Sequence, residues 1–340
     1  MKAKTKKRLT ITLSVIGLLI LAYFLGPKPN YPTFDGQITW QKIPLNDLET
    51  TLEQENAALP NLRDQCGSSV VWHNDSIQKT KYAVVFLHGF SACPFEGNPI
   101  VQDFAKEFGC NLYLHRLPQH GLDDDESFVD LTPKKWIESA KKAINIGANL
   151  GEKVIIMSSS TGGTLSTYLT AENEAANIIA AQFLYSPNFE IANPASFLMN
   201  NPWGSQILQQ IEGGNYHYIK GISEVSAPYW TTTYRIEGLV ALQDLIEKTM
   251  TTATFEKIKS PVFIGYYYKN ENEKDNIVSI DAMKYFYNNI QTPKNQKVII
   301  PFSEVGGHVI TNKYQQGGLE DVRKATFDFA RKTLFVGVSE

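Results

Sequence analysis

The chain has 340 residues, of which 43% are hydrophobic and 20% are charged, with a formal net charge of −3. This length suits one large or two small domains that need no metal or disulfide to fold, and the near-neutral charge does not indicate nucleic-acid binding. The cysteines Cys66, Cys93 and Cys110 lack the spacing of a metal site, so one disulfide with a free thiol and three thiols are equally compatible with the sequence.

The first segment combines a basic flank with an apolar run. Five of the first eight residues are Lys or Arg, and Leu9 to Leu25 then contains 17 residues without a charge. As a helix this run would be about 26 Å long, near the lower limit for a membrane span. A retained anchor and a cleaved signal peptide compete, and the end of the run lacks a good cleavage site. We predict a single-pass anchor and tether in residues 1–29, with a cytoplasmic N-terminus and the rest of the chain on the periplasmic or extracellular side.

Residues 30–80 carry weaker patterns. The segment Ile38 to Ile43 alternates and is predicted to be a first strand, Asn46 to Leu59 is predicted to be helical, and Ser69 to His73 is predicted to be a second strand.

From residue 81 onward, predicted strands and helices alternate. The continuous apolar run from Lys81 to His88 is typical of a strand buried on both faces of a parallel sheet. A helix at Pro99 to Phe108, a strand at Cys110 to His115 and a helix from Thr132 through Ile144 follow. This order predicts an α/β protein with a parallel sheet between two layers of helices.

A serine-rich turn joins the next strand to the next helix. Val154 to Met157 is typical of a buried strand, and Leu165 to Ala171 of a helix. Between them, the small-x-Ser-x-Gly pattern from Ser158 to Gly162 is that of a nucleophile elbow centred on Ser160. The neighbours two positions away must be small, because strand and helix would otherwise collide at the tip. A serine-rich loop without chemistry is the alternative.

The dipeptide His88-Gly89 closes the first buried strand. A glycine there allows a tight turn against the sheet and presents the next backbone N–H, that of Phe90, to the elbow; an ordinary strand-ending turn is the alternative. His88 is predicted to bond backbone beneath this loop, and His120 to shape a neighbouring loop. Four histidines without a visible acid–base partner are predicted to be structural or surface residues: His73, His115, His120 and His217.

A long connection follows the elbow. About 75 residues separate the predicted strands Ala180 to Ser186 and Val262 to Tyr268, whereas a whole βαβ unit takes about 30. The excess is predicted to be an insertion over residues 188–255 that overhangs the carboxyl ends of the strands, where ligands bind in open α/β sheets. Its many aromatic residues suit a lid with an apolar acyl or alcohol pocket, or only a small core of the lid itself.

Two further site candidates lie near the C-terminus. The polar loop after residue 268 offers three acids, Glu271, Glu273 and Asp275, and we favour Asp275 because an Ile-Val pair follows it closely. His308 lies in a glycine-containing loop after the last predicted strand. Ser160, Asp275 and His308 therefore occur in one of the recurring chain orders of a catalytic triad.

Five short motifs together resemble the α/β-hydrolases of the carboxylesterase and monoacylglycerol-lipase type, and most of all small bacterial thermostable carboxylesterases. They are Leu87 to Phe90, Pro118 to Gly121, Ser158 to Gly163, Asp275 to Val278 and Gly307 to Thr311. The likeness covers about residues 80–335 and departs from the usual pattern at Ser158 and Gln119.

This resemblance implies an α/β-hydrolase fold, with a core of residues 30–187 and 256–340 and a lid of residues 188–255. It implies serine-ester hydrolysis by the triad Ser160, Asp275 and His308, with the backbone N–H groups of Phe90 and Thr161 as oxyanion donors. A small acyl ester, lipids included, is the implied substrate, with no metal, organic cofactor or nucleic acid. A serine peptidase, thioesterase or acyltransferase, and a catalytically inactive membrane-tethered binding protein, remain as alternatives.

Overall fold

The computed structural model of the chain describes residues 2–314 and 317–335. Parts of the predicted N-terminal segment and of the predicted core lie outside the described residues, namely Met1, residues 315–316 and residues 336–340. The strands are β1 (Ser69–Val71), β2 (Thr80–Leu87), β3 (Asn111–His115), β4 (Gly151–Ser159), β5 (Ile179–Tyr185), β6 (Tyr216–Tyr218), β7 (Thr233–Arg235), β8 (Val262–Asn270), β9 (Glu273–Lys274) and β10 (Lys297–Phe302).

The helices connect these strands and cover both faces of the sheet that most of them form. They are α1 (Lys2–Phe24), α2 (Leu48–Ala57), α3 (Ile100–Glu107), α4 (Pro133–Leu150), α5 (Thr161–Asn173), α6 (Gly204–Glu212), α7 (Glu237–Thr249), α8 (Thr252–Phe255), α9 (Ile280–Asn289) and α10 (Leu319–Thr333). Thr132 caps α4, since its hydroxyl accepts a hydrogen bond from the Lys135 N–H at 3.2 Å.

One mostly parallel sheet organises the chain. Its strand order is β1-β3-β2-β4-β5-β8-β10, with β9 paired to β8 outside this path. Only the β1–β3 and β8–β9 pairs are antiparallel within it. Leu87 pairs with Ser158, Ser159 with Tyr185, and Tyr185 with Gly265. The loops that leave β2, β4, β5 and β8 therefore emerge together at one edge.

The sheet is buried on both faces, as the apolar run of β2 predicted. Ala83, Val85 and Leu87 belong to a core cluster that includes residues of α4, α5 and α7. Val84 and Phe86, which point the other way, belong to a cluster that includes residues of α3 and α10. Alternate side chains of one strand thus pack into two separate helical layers.

The predicted strand at Ile38 to Ile43 is wrong, because this segment pairs with no strand. Its backbone bonds to side chains of α4 instead: the N–H groups of Gln41 and Ile43 donate to the side-chain carbonyls of Asn145 and Asn149, at 2.9 and 3.0 Å. A buried backbone group needs a partner, and here helix asparagines provide the partners that a neighbouring strand would otherwise supply.

The predicted insertion, residues 188–255, has two differently placed parts. Its later helix α7 packs Ala241 and Leu245 into the core cluster beside α4 and α5. Its earlier part holds α6 and the antiparallel pair β6–β7. Just before β7, the Thr231 N–H donates to the Ser91 carbonyl at 2.7 Å. The early part therefore touches the loop that follows β2.

A disulfide joins Cys66 to Cys93, and Cys110 is a buried free thiol. Of the two cysteine arrangements that the sequence allows, the structure has one disulfide and one thiol. Both bridged residues are fully buried. The bridge ties the segment before β1 to the loop after β2, on the side of the sheet edge where several loops meet.

Candidate active site

Ser160 lies at the tip between β4 and α5 in an uncommon backbone conformation, with φ 49° and ψ −115°. A residue other than glycine costs about 1–3 kcal/mol in such a conformation and keeps it only where its surroundings enforce it. Here the Ser160 N–H donates to the Tyr185 carbonyl at 3.0 Å, and the Ser160 carbonyl accepts from the N–H groups of Gly163 and Asn188 at 2.8 and 2.9 Å. These bonds to both sides hold the serine at the tip.

The small residues around Ser160 are required by close packing. A Cβ atom at Gly162 would lie 2.0 Å from the Leu87 carbonyl oxygen, so α5 could not approach the end of β2. Ser158, which stands where glycine is usual, is fully buried, and its hydroxyl lies 3.1 Å from the Ser166 hydroxyl of α5. A serine therefore fits this position because a partner on the helix satisfies it.

Asp275 and His308 form a pair in which the carboxylate is buried and the imidazole is partly exposed. His308 Nδ1 donates to Asp275 Oδ2 at 2.7 Å, and Asp275 Oδ1 accepts from the N–H groups of Ile277 and Val278 at 2.9 and 3.2 Å. Burial opposes ionisation of Asp275, but the charge and hydrogen bond of His308 and the two N–H groups outweigh it and lower the Asp275 pKa. The Ile-Val pair noted in the sequence thus supplies the donors that keep this carboxylate charged.

The other two acid candidates lie elsewhere on the same loop. Glu271 pairs with Lys274 at 2.6 Å, and Glu273 pairs with Lys269 at 2.9 Å, all exposed at the surface. Of the three carboxylates, the structure brings Asp275 to His308.

The second imidazole nitrogen of His308 has no partner. His308 Nε2 is buried and makes no hydrogen bond among the described residues. With Nδ1 donating to Asp275, Nε2 carries the lone pair of the neutral ring. The structure does not join it to Ser160 by a hydrogen bond, a contact that often tightens only when substrate binds.

Two backbone N–H groups beside Ser160 are unused. The N–H groups of Phe90 and of Thr161, the first residue of α5, make no backbone hydrogen bond among the described residues. That of Thr161 lies at the positive end of the α5 dipole, which favours an anion there.

His88 fixes how the Phe90 N–H points. His88 Nδ1 donates to the Gly89 carbonyl at 2.8 Å, and Nε2 accepts from the Leu117 N–H at 3.0 Å, so the predicted backbone bonding of this histidine is confirmed. Burial, aided by the Arg116 charge, lowers the His88 pKa to about 3 and keeps the ring neutral. Because the C=O and N–H of a trans peptide point in opposite directions, holding the Gly89 carbonyl aims the Phe90 N–H away from His88.

His120 shapes the neighbouring loop, as predicted. Its Nδ1 donates to the Pro118 carbonyl at 2.8 Å, and its buried ring lies 5.7 Å from the Phe90 ring and 4.5 Å from the Phe128 ring. The Phe90 ring also lies 5.2 Å from that of Tyr234 on β7. These contacts hold the Phe90 side chain on the side of the predicted insertion.

Sequence reasoning missed Glu96, a buried carboxylate in the same site. Its Oε2 accepts from the Gly89 N–H at 2.6 Å, and only 2% of the residue is exposed. One signal was available in the sequence. Between Phe86 and Val101, Glu96 is the one acidic or basic residue besides His88. Such a charge within a buried segment requires partners.

Comparisons with known proteins find similarity to solved structures alone. No protein-family model matches the chain, and no curated protein matches it. Similar solved structures include one from work on LipS and LipT, two metagenome-derived lipolytic enzymes. It has 16% identity and a TM-score of 0.62, and the alignment covers 81% of this chain and 99% of that one. Another is a monoacylglycerol lipase of Paleococcus ferrophilus (14% identity, TM-score 0.56, 77% and 96%). A third is alpha/beta hydrolase domain-containing protein 10 from mouse (15% identity, TM-score 0.53, 79% and 96%).

At these identities the likeness concerns the backbone. The three neighbours align over almost their whole length with this chain, whose mostly parallel sheet has helices on both faces. The chain therefore has the α/β-hydrolase fold that the sequence motifs implied.

Proposed function

We propose that the chain is a serine hydrolase that cleaves carboxylic esters through an acyl-enzyme on Ser160. One observation carries the proposal: the Asp275–His308 pair leaves His308 Nε2 without a hydrogen-bond partner among the described residues, in a fold whose sharp turn between β4 and α5 holds Ser160. The neighbours described as lipolytic enzymes and as a monoacylglycerol lipase share this fold and support the ester class.

The proposed mechanism uses five groups. His308 Nε2 takes the proton of Ser160 as its Oγ attacks the ester carbonyl, and Asp275 fixes the imidazole tautomer and stabilises the charged ring. The N–H groups of Phe90 and Thr161 bind the oxyanion; one such donor contributes about 2.7–4 kcal/mol. His308 then protonates the leaving alkoxide, and water that it activates hydrolyses the acyl-enzyme.

The predicted anchor and insertion favour esters held at a membrane surface. The described residues contain one helix long and apolar enough to cross a bilayer, Lys7–Phe24, a property that a signal sequence shares. The Trp203 indole donates to the Ala22 carbonyl near the end of this helix at 3.0 Å. Ile207 and Ile211 follow on α6, with exposed fractions of 39% and 74%. An apolar face of the insertion thus adjoins the proposed span, which suits monoacylglycerol or lysophospholipid substrates.

The disulfide supports the proposed topology. Disulfides persist in oxidising compartments and are rare in the cytosol. The buried Cys66–Cys93 bridge lies in the part of the chain that the basic N-terminal flank would place outside the cytoplasm.

Active-site labelling tests the proposal. The full chain in detergent is expected to hydrolyse p-nitrophenyl acyl esters and to be labelled by a fluorophosphonate, and Ser160→Ala is expected to lose both properties. Ser158→Ala is the matched control, because among the described residues that hydroxyl hydrogen-bonds only to the Ser166 hydroxyl and is given no role in the mechanism. Full activity in Ser160→Ala would overturn the assignment, and folded wild-type protein that resists labelling would favour a binding protein.

A screen separates the remaining activities of this fold. Esters, thioesters and aminoacyl amides of graded chain length are compared by kcat/KM. Preference for an amide or a thioester would replace the esterase proposal by a peptidase or a thioesterase, since the triad alone does not fix the substrate.

A further inference from the structure

The site holds a second buried carboxylate that the proposed mechanism does not use. Glu96 lies in the turn Pro94–Gly97 after β2, and its Oε2 accepts the Gly89 N–H at 2.6 Å. The same glycine faces Ser160: a Cβ atom built on Gly89 would lie 3.0 Å from Ser160 Cβ and 3.1 Å from Glu96 Oε1. The carboxylate and the proposed nucleophile therefore approach one residue from two directions.

Gly89 is held at both of its peptide groups. Glu96 binds its N–H, and His88 Nδ1 binds its carbonyl at 2.8 Å. The carbonyl belongs to the peptide whose N–H is that of Phe90. A glycine has unusual backbone freedom, so this donor keeps its direction only while both bonds persist.

The backbone of the Glu96 turn is fastened to the segment that follows His308. The Thr311 hydroxyl donates to the Glu96 carbonyl at 2.9 Å, and the Asn312 side-chain amide donates to the Phe95 carbonyl at 3.0 Å. One turn thus connects the loop after β2, residues 88–93, which carries the proposed oxyanion donor Phe90, with the loop of the proposed general base.

Resting on the proposed esterase function, we propose that Glu96 is a positioning residue. Its carboxylate fixes Gly89 so that the Phe90 N–H faces the oxyanion, and its negative charge, together with that of Asp275, stabilises the His308 imidazolium that forms as Ser160 attacks.

The charges around Glu96 agree with this role. Burial raises the Glu96 pKa to about 7, while the Gly89 N–H, His308 and Ser159 act in the opposite direction. The Ser159 hydroxyl lies near the carboxylate but makes no hydrogen bond of good geometry. Burial favours neutral His308, and the charge and hydrogen bond of Asp275, followed by the charge of Glu96, raise its pKa above the usual value. Among the described residues, Asp275 and Glu96 are the acids that act on His308.

Two substitutions separate the two parts of the role. Glu96→Gln keeps a carbonyl oxygen for the Gly89 N–H but removes the charge. We expect kcat to fall about 10-fold at unchanged KM, because the transition state loses a negative charge that stabilises the His308 imidazolium. The acid limb of kcat/KM should move to lower pH, since His308 loses a negative neighbour. Glu96→Met, similar in size, removes the acceptor as well, and we expect a loss of about 100-fold, as for a lost oxyanion donor.

Controls distinguish this role from a structural one. Glu174→Gln alters a half-buried carboxyl before β5, at the opposite end of the sheet from Ser160, and is expected to leave kcat and the pH profile unchanged. The melting temperature of each variant shows whether that variant is folded at the temperature of the assay. A folded Glu96→Gln variant with wild-type kcat and pH profile would overturn the proposal.

Two further outcomes are interpretable. If the Gln variant does not fold, Glu96→Asp replaces it: the shorter acid keeps the charge but withdraws from Gly89, and wild-type kcat in that variant would contradict the positioning role. Fluorophosphonate labelling of the wild type at Ser160 establishes the esterase site independently. Failure of labelling thus refutes the proposed function, whereas normal labelling with an unaffected Glu96→Gln variant refutes only the role of Glu96.

Discussion

Asp275 Oδ2 lies 2.7 Å from His308 Nδ1, and the two N–H groups on its other oxygen hold it in place. Asp275 directly follows β9, the short strand paired with β8, and the loop that carries His308 follows β10; β8 and β10 are neighbours in the sheet. A pair 33 residues apart in sequence is therefore assembled by strand pairing.

Replacing the proposed acid should abolish most activity. Asp275→Asn presents an amide to His308 and no longer selects the tautomer with a free Nε2, so we expect kcat to fall by about 10⁴-fold. Steady-state kinetics on a p-nitrophenyl ester measures this loss. Glu273→Gln, on the same loop, is the control and should retain full activity; the reverse pattern would show that Glu273 is the acid.

Activity should depend on pH through His308. As the proposed base, His308 must be neutral to take the Ser160 proton, and its pKa is raised by Asp275 and Glu96 against the effect of burial. We expect kcat/KM to be lost as the pH falls, with a midpoint above the ordinary histidine value of about 6.5. A profile with its midpoint clearly below that value would contradict this account of the pair.

Stability should depend on pH through Glu96. Its pKa rises from 4.5 in the unfolded chain to about 7 in the fold. The fold therefore favours the protonated carboxyl. This contributes about 3 kcal/mol to the free energy of unfolding below pH 4.5, and the contribution is lost as the pH rises to about 7. The melting temperature of the wild type should therefore fall relative to that of Glu96→Gln across this range, and parallel curves would refute it.

The elbow should not tolerate a methyl group at Gly162. The added Cβ would meet the backbone carbonyl of Leu87, which cannot rotate away, so Gly162→Ala should destabilise the fold by about 3 kcal/mol or more and abolish labelling. Gly214→Ala is the control, because nothing lies within 4 Å of its Cβ, and it should change stability by less than about 0.5 kcal/mol. Equal melting temperatures of the two variants would contradict the packing argument.

The exposed face of α6 should matter only for membrane-held esters. Ile211→Ser should slow hydrolysis of long-chain monoacylglycerol in vesicles and leave p-nitrophenyl acetate turnover unchanged, because it removes apolar contact with lipid. Ile77→Ser changes another exposed isoleucine and is the control. Equal rates of the wild type and both variants on vesicles would argue against docking of this face.

The parallel sheet and the chain order of the candidate site residues could be predicted because the sequence patterns that indicate them are local. The apolar runs of β2 and β4 and the small residues around Ser160 follow from chain geometry alone. The segment Ile38–Ile43 was mispredicted because its partners, Asn145 and Asn149, lie about a hundred residues away and a strand pattern does not reveal them. The role of Glu96 was missed because the contacts of its turn form only in the fold: Thr311 and Asn312, more than 200 residues away, bind the Glu96 and Phe95 carbonyls.

The contacts between the predicted insertion and the loop after β2 have a kinetic consequence for the proposed reaction. The Thr231 N–H bonds to the Ser91 carbonyl, and Tyr234 packs on Phe90. If the chain is the proposed esterase, an ester too bulky for the space beside Ser160 would displace this segment and thereby disturb the Phe90 backbone next to it. Size selection would then act on the chemical step as well as on entry, so that oversized esters would be bound but acylate Ser160 slowly.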